Sequence, residues 1–105
     1  MRVALHSILR EGHEVAYEED HAAIPDDLVA AFARLDIHDW TIWRSGRHLF
    51  HLVDCDDFTA AIVALGTDPA NEDWQRVIGR HVERFVDPPE GVGMPQVWSL
   101  TRQRA

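Results

Sequence analysis

Cysteine and long hydrophobic runs are scarce in this sequence of 105 residues. Cys55 is the only cysteine, so no disulfide can form within the chain. Its neighbours Asp54 and Asp56 disfavour the thiolate, and we therefore interpret Cys55 as a packed residue. No apolar run approaches the ~20 residues of a membrane-spanning helix. The N-terminal stretch meets charge at Arg10 and Glu11 before any long apolar core, so we expect no signal peptide and a cytoplasmic location.

Positive charge is also scarce. The 10 Lys and Arg residues stand against 18 Asp and Glu, which gives a net charge of −8 and a pI of about 5.2. Proteins that bind nucleic acids neutralise phosphates with clustered Lys and Arg, so this composition argues against a nucleic-acid partner and against an anionic membrane surface. Seven histidines are present, but the Cys-x-x-Cys and His-Glu-x-x-His spacings of metal sites are missing. We predict no bound metal.

The first half of the chain predicts a strand, a broken helix and a hairpin. The run RVALHSIL is rich in β-branched and aliphatic residues, as strands are. From His13 to Leu35, apolar residues recur every three or four positions, which predicts a helix. Pro25 interrupts this helix because proline lacks the N–H that a continuous helix needs. Two strand-like runs then flank Ser45 and Gly46, a typical hairpin turn.

The second half predicts two helices and a last strand. The stretch DDFTAAIVALG begins with Asp56 or Asp57 as the N-cap of a helix and ends at Gly66. Asp68 caps the next helix, whose apolar stripe extends to Phe85. The stretch DPPEGVGMP is typical of a loop, and QVWSL is typical of a short strand.

The resulting order is β-α-β-β-α-β within a single domain of residues 1–105. This order predicts an α+β, ferredoxin-like subunit with a four-stranded antiparallel sheet and helices on one face. On the predicted hairpin, Trp40 and Ile42 point to one side of the sheet and Trp43 points to the other. Both faces are therefore apolar, and a second copy of the chain would cover the face that the helices leave open. We predict a homodimer.

Tyr17 and His21 share the apolar stripe of the first predicted helix, one turn apart. Because Pro25 follows His21 by four residues, the helix breaks beside the histidine, whose side chain can then border a cavity. An imidazole exchanges protons near neutral pH, and a phenol beside it can donate a hydrogen bond. The pair predicts proton transfer to a small polar ligand. The alternative is that both residues are ordinary members of the core.

Tryptophan is frequent for a small acidic domain, with residues at positions 40, 43, 74 and 98. Sugar rings present C–H faces that stack on aromatic planes, while their hydroxyls need hydrogen-bond partners. Trp74 begins an apolar helix stripe and Trp40 begins a strand face, so both are candidates for holding a sugar ring. The alternative for each is aromatic packing in the core. We interpret Trp43 and Trp98 as core or dimer contacts.

Several motifs, taken in order, resemble the L-rhamnose mutarotase family. They are YEEDH followed by Ile-Pro-x-x-Leu, then IHDWTIWRSGRHLFHLV and DPANEDWQ, and they extend over roughly residues 3–85. The resemblance implies a dimeric α/β barrel of ferredoxin-like subunits, without a metal or organic cofactor, that interconverts the α and β anomers of a 6-deoxy-hexose. It implies that His21 is the catalytic histidine, Tyr17 its partner tyrosine and Trp74 a sugar-facing tryptophan.

Some residues depart from the family pattern and bear on the substrate. Ile24 stands directly before Pro25, where the family has a tryptophan, and the strand tyrosines are tryptophans here. His51 takes a place usually filled by a small or apolar residue. Because the acid–base pair is unchanged, we predict a mutarotase in which Trp40 and Trp74 hold the ring and His51 reaches a hydroxyl. L-Rhamnose is the expected sugar and L-fucose the alternative; a non-catalytic dimeric binding module and a dimeric α/β-barrel monooxygenase are the other possibilities.

Overall fold

The computed structural model describes residues 1–86 and 93–105 of the chain. Its strands and helices are, in order, β1 Arg2–Leu9, α1 Glu14–Asp20, α2 Asp26–Arg34, β2 Ile37–Ser45, β3 His48–Cys55, α3 Phe58–Leu65, α4 Pro69–Ile78, β4 Val82–Phe85 and α5 Leu100–Arg104. A 3₁₀ turn, Gly79–His81, joins α4 to β4. Most of the loop predicted at DPPEGVGMP, residues 87–92, lies outside the described ranges. Of the helices in these two ranges, none has the length and apolar content to span a membrane.

The four strands form an antiparallel sheet in the order β2-β3-β1-β4. This is the ferredoxin-like arrangement that the element order predicts, with the helices covering one face. Alternate side chains of the central strands turn towards that face, where Val3 opposes Val53 and Ser7 opposes Leu49. Together with Leu28 from α2, the aliphatic members of this set form a sealed core.

The predicted helix break and hairpin are confirmed. α1 ends at Asp20, and α2 begins after Pro25. The Pro25 carbonyl accepts the N–H groups of Leu28 and Val29, which starts the new helix. Gly46 lies in the hairpin turn with a φ of 59°, a left-handed conformation that glycine adopts without strain.

The prediction for the C-terminal part of the chain is wrong in two respects. Helix α4 stops at Ile78 instead of continuing to Phe85, and QVWSL lies outside the sheet. The edge strand is β4, in which Val82 opposes Leu9 of β1. A strand of four residues shows too little alternation to be told from a helix by spacing. Its pairing with β1, which the sequence pattern does not reveal, makes it a strand.

The two faces of the sheet have different surroundings. Trp40 and Ile42 pack against the core under the helices, as the hairpin pattern predicts. Trp43 lies on the opposite face with 55% of its surface exposed. Phe50 opposes Trp43 in register and is 38% exposed, so an aromatic pair stands on the face that no helix covers in the part of the chain described.

Candidate active site

A cavity of about 690 Å³ lies between the helices and the sheet. Its volume is within the range of about 300–1,000 Å³ that is usual for small-molecule sites. Aliphatic and aromatic side chains from both layers make most of the lining, and a few polar groups interrupt it. Such a lining binds a ligand by apolar contact and orients it through a small number of hydrogen bonds.

Helix α1 places Tyr17 and His21 side by side on the cavity wall. Their ring centroids are 5.2 Å apart, because residues four apart on a helix share a face. The backbone N–H of His21 donates to the Tyr17 carbonyl at 2.9 Å, so His21 closes the last turn of α1. The chain then breaks away towards Pro25, which leaves the imidazole at a helix end beside open space.

The polar side-chain atoms of Tyr17 and His21 make no hydrogen bond to the described part of the chain. The Tyr17 hydroxyl and the His21 ring nitrogens form no side-chain hydrogen bond with residues 1–86 or 93–105. Every fully buried polar side-chain atom in those ranges has a partner, so these atoms reach the cavity. Both residues also line an adjoining cavity of about 240 Å³. The pair is therefore free to contact a ligand.

Burial raises the pKa of Tyr17 to about 12. Apolar surroundings disfavour the phenolate, so the hydroxyl keeps its proton at neutral pH. Tyr17 therefore presents a hydrogen-bond donor to the cavity, beside the imidazole of His21.

Trp74 faces this pair from helix α4. The Asp68 carboxylate caps α4 by accepting the Ala70 N–H at 2.9 Å, and Pro69 occupies the first turn, as predicted. In the second turn Trp74 is 9% exposed, with its ring edge-on to His21 at 5.2 Å and 88°. The indole N–H of Trp74 has no hydrogen-bond partner among the residues described, so it is available to a ligand.

Asn71 and Gln75 are polar groups of the cavity that the sequence analysis did not propose as site residues. Asn71 donates from Nδ2 to the Leu65 carbonyl at 3.0 Å. Gln75 donates from Nε2 to the Asn71 side-chain oxygen at 3.4 Å. Both residues belong to the motif DPANEDWQ and lie four apart on the face of α4 that carries Trp74, which is the signal that could have identified them.

The strands contribute Trp40, His51 and Ser7 to the other side of the cavity. The Trp40 indole N–H donates to His51 Nδ1 at 3.1 Å, and His51 Nε2 lies 2.9 Å from Ser7 Oγ. The sequence predicts that His51 reaches a sugar hydroxyl, whereas here both ring nitrogens have partners within the chain. Ser7 was missed, although it is a polar residue at an inward position of β1 between Leu5 and Leu9.

The buried position of His51 keeps its ring neutral. Burial, together with smaller contributions from positive charge on His21 and His6, lowers the pKa of His51 to about 4. At neutral pH the ring therefore carries one proton, which it must place on one of its two nitrogens.

A second polar cluster lies outside the cavity and holds α1. His81 Nε2 contacts the Asp20 carboxylate at 2.7 Å, and His81 Nδ1 contacts His13 Nδ1 at 2.9 Å. Arg80 donates to the same Asp20 oxygen at 3.0 Å. The hydrogen bonds from His81 and Arg80 lower the pKa of Asp20. Because His13 precedes α1 and Asp20 ends it, the cluster fixes both ends of the helix that carries Tyr17.

The structure thus brings together most of the residues that the sequence singles out. Tyr17, His21 and Trp74 form one group, and Trp40 and His51 line the same cavity. Within the described ranges, no group of three or more His, Cys, Asp or Glu side chains is arranged to hold a metal.

Solved structures of several kinds of protein share this fold at low sequence identity. An L-rhamnose mutarotase from Formosa agariphila matches with a TM-score of 0.74 and 15% identity, over 95% of this chain and 98% of that one. A protein described as an antibiotic biosynthesis monooxygenase from Bordetella bronchiseptica gives 0.62 at 16% identity, over 79% and 85%. Tetracenomycin F2 cyclase from Streptomyces glaucescens, a type-II polyketide cyclase, gives 0.61 at 12% identity, over 98% and 88%. These likenesses establish the class, an α+β ferredoxin-like fold.

The family is established by the sequence as a whole. The family model of L-rhamnose mutarotase matches residues 2–100. No curated protein matches the chain by sequence. Because the family match covers nearly the whole chain, this protein belongs to the L-rhamnose mutarotase family, and the resemblance drawn from the three motifs is confirmed.

Proposed function

We propose that this protein is an isomerase that interconverts the α and β anomers of a 6-deoxy-hexose, with L-rhamnose as its preferred substrate. The observation that carries the proposal is the pair of Tyr17 and His21, adjacent on the cavity wall, whose side-chain polar atoms have no hydrogen-bond partner among the described residues. Family membership supports the reaction, and the largely apolar lining supports a sugar that carries a methyl group.

Mutarotation needs a proton donor at the ring oxygen and a proton acceptor at the anomeric hydroxyl, two oxygens bonded to the same anomeric carbon. The Tyr17 hydroxyl protonates the ring oxygen while His21 removes the proton of the anomeric hydroxyl. The bond between the anomeric carbon and the ring oxygen breaks, and the former hydroxyl oxygen forms the carbonyl of the open-chain aldehyde. Nothing is oxidised in this step, and the two protons are the only species transferred. General acid–base catalysis of this kind supplies about 10²–10⁴-fold acceleration.

Ring closure reverses these proton movements. Rotation about the bond between the aldehyde carbon and the next sugar carbon presents the other face of the carbonyl to the sugar hydroxyl that was the ring oxygen. As that hydroxyl attacks, its proton returns to the Tyr17 phenolate, and protonated His21 returns its proton to the carbonyl oxygen. The opposite anomer leaves, and both side chains regain their starting states.

The tryptophans would hold the sugar ring while this happens. Because Trp74 stands edge-on to His21, a ring held against Trp74 also meets the acid–base pair. Trp40 forms another part of the wall, and Leu28 and Phe32 of α2 line the same cavity. Aliphatic and aromatic side chains of this kind suit the methyl group of a 6-deoxy-hexose.

The proposal is tested by NMR saturation transfer between the anomeric proton signals of L-rhamnose and of L-fucose at equilibrium. Catalytic amounts of the protein are expected to accelerate exchange, and more for L-rhamnose. A larger effect on L-fucose would keep the reaction and change the substrate. If the folded protein accelerates neither exchange, the mutarotase proposal fails and a non-catalytic binding module becomes the better interpretation.

We also propose that two copies of the chain pair through the open face of the sheet. Trp43 and Phe50 are exposed there, and apolar aromatic patches are typical of protein interfaces. The cavity lies on the opposite side of the sheet, so pairing leaves it available to a monosaccharide. We place the dimer in the cytoplasm, which the free, buried Cys55 supports.

A further inference from the structure

Three side chains from three neighbouring strands form a hydrogen-bonded series beside the cavity. Trp40 of β2 donates from its indole nitrogen to Nδ1 of His51 in β3, at 3.1 Å. Nε2 of the same imidazole lies 2.9 Å from Oγ of Ser7 in β1. His51 is 6% exposed and Ser7 is inaccessible to solvent, so water does not compete for these contacts.

The direction of each hydrogen bond in this series follows from its first member. An indole N–H is a donor only, so Nδ1 of His51 must be the acceptor. A neutral imidazole then carries its proton on Nε2, which donates to Ser7 Oγ. A doubly protonated ring would face the Trp40 N–H with a second donor, and that contact would be lost.

Because of this series, no side-chain polar atom of Trp40 or His51 remains free to bind a ligand. Trp40 can offer a sugar only the carbon surface of its ring, and Phe32 packs against that ring at a centroid distance of 5.7 Å. Trp74 differs, because its indole N–H has no partner in the described ranges. The two tryptophans of the cavity are therefore not equivalent.

We propose that His51 is a positioning residue, anchored by Ser7, that holds the Trp40 indole so that Trp40 serves as an apolar wall for a C–H face or the methyl group of the sugar. This inference rests on the proposed function for its ligand. It replaces the direct contact between His51 and a sugar hydroxyl that the sequence suggests, since both ring nitrogens already have partners.

Two substitutions of His51 separate positioning from mere space filling. His51→Leu removes the acceptor for the Trp40 N–H, and we expect the KM for L-rhamnose to rise about fivefold with kcat unchanged, as for one lost hydrogen bond. His51→Gln keeps a carbonyl acceptor and an N–H donor, so it should restore the KM of the wild type. His38→Gln is the matched control, because His38 is exposed and pairs with Asp56 away from the cavity.

A second measurement follows Trp40 directly and needs no sugar. In protein labelled with ¹⁵N at tryptophan, the Trp40 indole signal is identified by its loss in Trp40→Phe. We expect its proton to exchange slowly with solvent in the wild type and in His51→Gln, and rapidly in His51→Leu. In the wild type the protection should disappear on acidification as His51 Nδ1 becomes protonated; His21 and His6 are the titratable groups whose charge acts on His51.

The outcomes distinguish this inference from the proposed function. If Trp40 exchange and the KM are the same in His51→Leu as in the wild type, the positioning role is wrong. If the Trp40 indole proton exchanges faster in His51→Leu but the KM is unchanged, His51 holds the indole without contributing to sugar binding, and the inference is also wrong. If the wild type accelerates no anomer exchange, the mutarotase proposal fails, and Trp40 can no longer be assigned a contact with the sugar. The indole signal still tests the hydrogen bond between Trp40 and His51.

Discussion

Tyr17 is the residue at which burial and chemistry are most closely linked. Its hydroxyl opens on a cavity, yet burial raises its pKa to about 12, so in the proposed reaction it starts with its proton in place. Solvent on the ring would remove this effect, because hydration stabilises the phenolate. Burial also makes the phenol a weaker acid, so in the proposed reaction it gives up its proton only as His21 takes the proton of the anomeric hydroxyl.

Tyr17→Phe removes this donor and keeps the ring. We expect the catalysed rate of anomer exchange to fall about 100-fold, towards the rate in water, since general acid catalysis is lost. Stability should change by less than about 0.5 kcal/mol, because the hydroxyl has no partner in the described chain. Saturation transfer and urea unfolding measure the two effects. A loss of stability as marked as the loss of rate would instead indicate that Tyr17 is a core residue.

His51 links folding stability to pH. An unfolded histidine titrates near 6.5, whereas the pKa of buried His51 is about 4. Between these values the unfolded state binds more protons, so stability must fall as pH drops from about 6.5 to about 4, by roughly 3 kcal/mol over the whole interval. The lowered pKa of Asp20 acts in the same direction but at lower pH, below about 3.8.

The contribution of His51 can be isolated by urea unfolding at pH 7 and pH 4.5. The wild type is expected to lose more stability between these two conditions than His51→Gln, which has no titrating group at this position. His38→Gln, an exposed substitution of the same kind, should lose at least as much stability on acidification as the wild type, because the hydrogen bond to Asp56 raises the pKa of His38 and its protonation favours the folded state. Equal losses in the wild type and His51→Gln would show that His51 is not the titrating group.

At the scale of an element, α4 depends on its N-terminal cap. Asp68 accepts the Ala70 N–H at 2.9 Å and also bonds Arg34 of α2 at 2.8 Å. Asp68→Ala should cost about 1–2 kcal/mol of stability, as is usual for the loss of a cap. Because α4 carries Trp74, we also expect a higher KM for the sugar.

Asp57→Ala provides the comparison for this prediction. Asp57 caps α3 by accepting the Ala60 N–H at 3.1 Å, and α3 carries neither Trp74 nor the acid–base pair. Both variants should lose similar stability in urea, while the KM rises only in Asp68→Ala. If the KM rises equally in both, the effect comes from general loosening of the helices and not from the position of α4.

Elements with their own start and stop signals could be predicted from the sequence. Pro25 marks the break between α1 and α2, and Asp68 with Pro69 marks the start of α4, because these residues act through neighbours only a few positions away. β4 could not be predicted in the same way. Its four residues continue a helical spacing, and only hydrogen bonds to β1, some 75 positions earlier, hold them extended.

For the whole molecule, the open face of the sheet leads to a prediction about assembly. In sedimentation equilibrium we expect the wild type to have twice the 12.0 kDa mass of one chain. The double variant Trp43→Glu/Phe50→Glu should sediment as a folded monomer, since like charges that meet across an apolar interface repel each other and lose their hydration.

Val63→Lys is the control for this experiment, because Val63 is 70% exposed on α3, away from the open face. It should remain a dimer. A monomeric wild type, or a double variant that still sediments as a dimer, would show that the chain does not pair through this face.

Local sequence pattern was sufficient for the elements from β1 to the start of α4, the helix break and the nearness of Tyr17 to His21. All three depend on residues within a turn or two of one another, where spacing converts directly into position. The edge strand and the series from Trp40 through His51 to Ser7 were decided by tertiary structure. Their contacts join residues on different strands, and which side chains meet there depends on register, which a single sequence does not state.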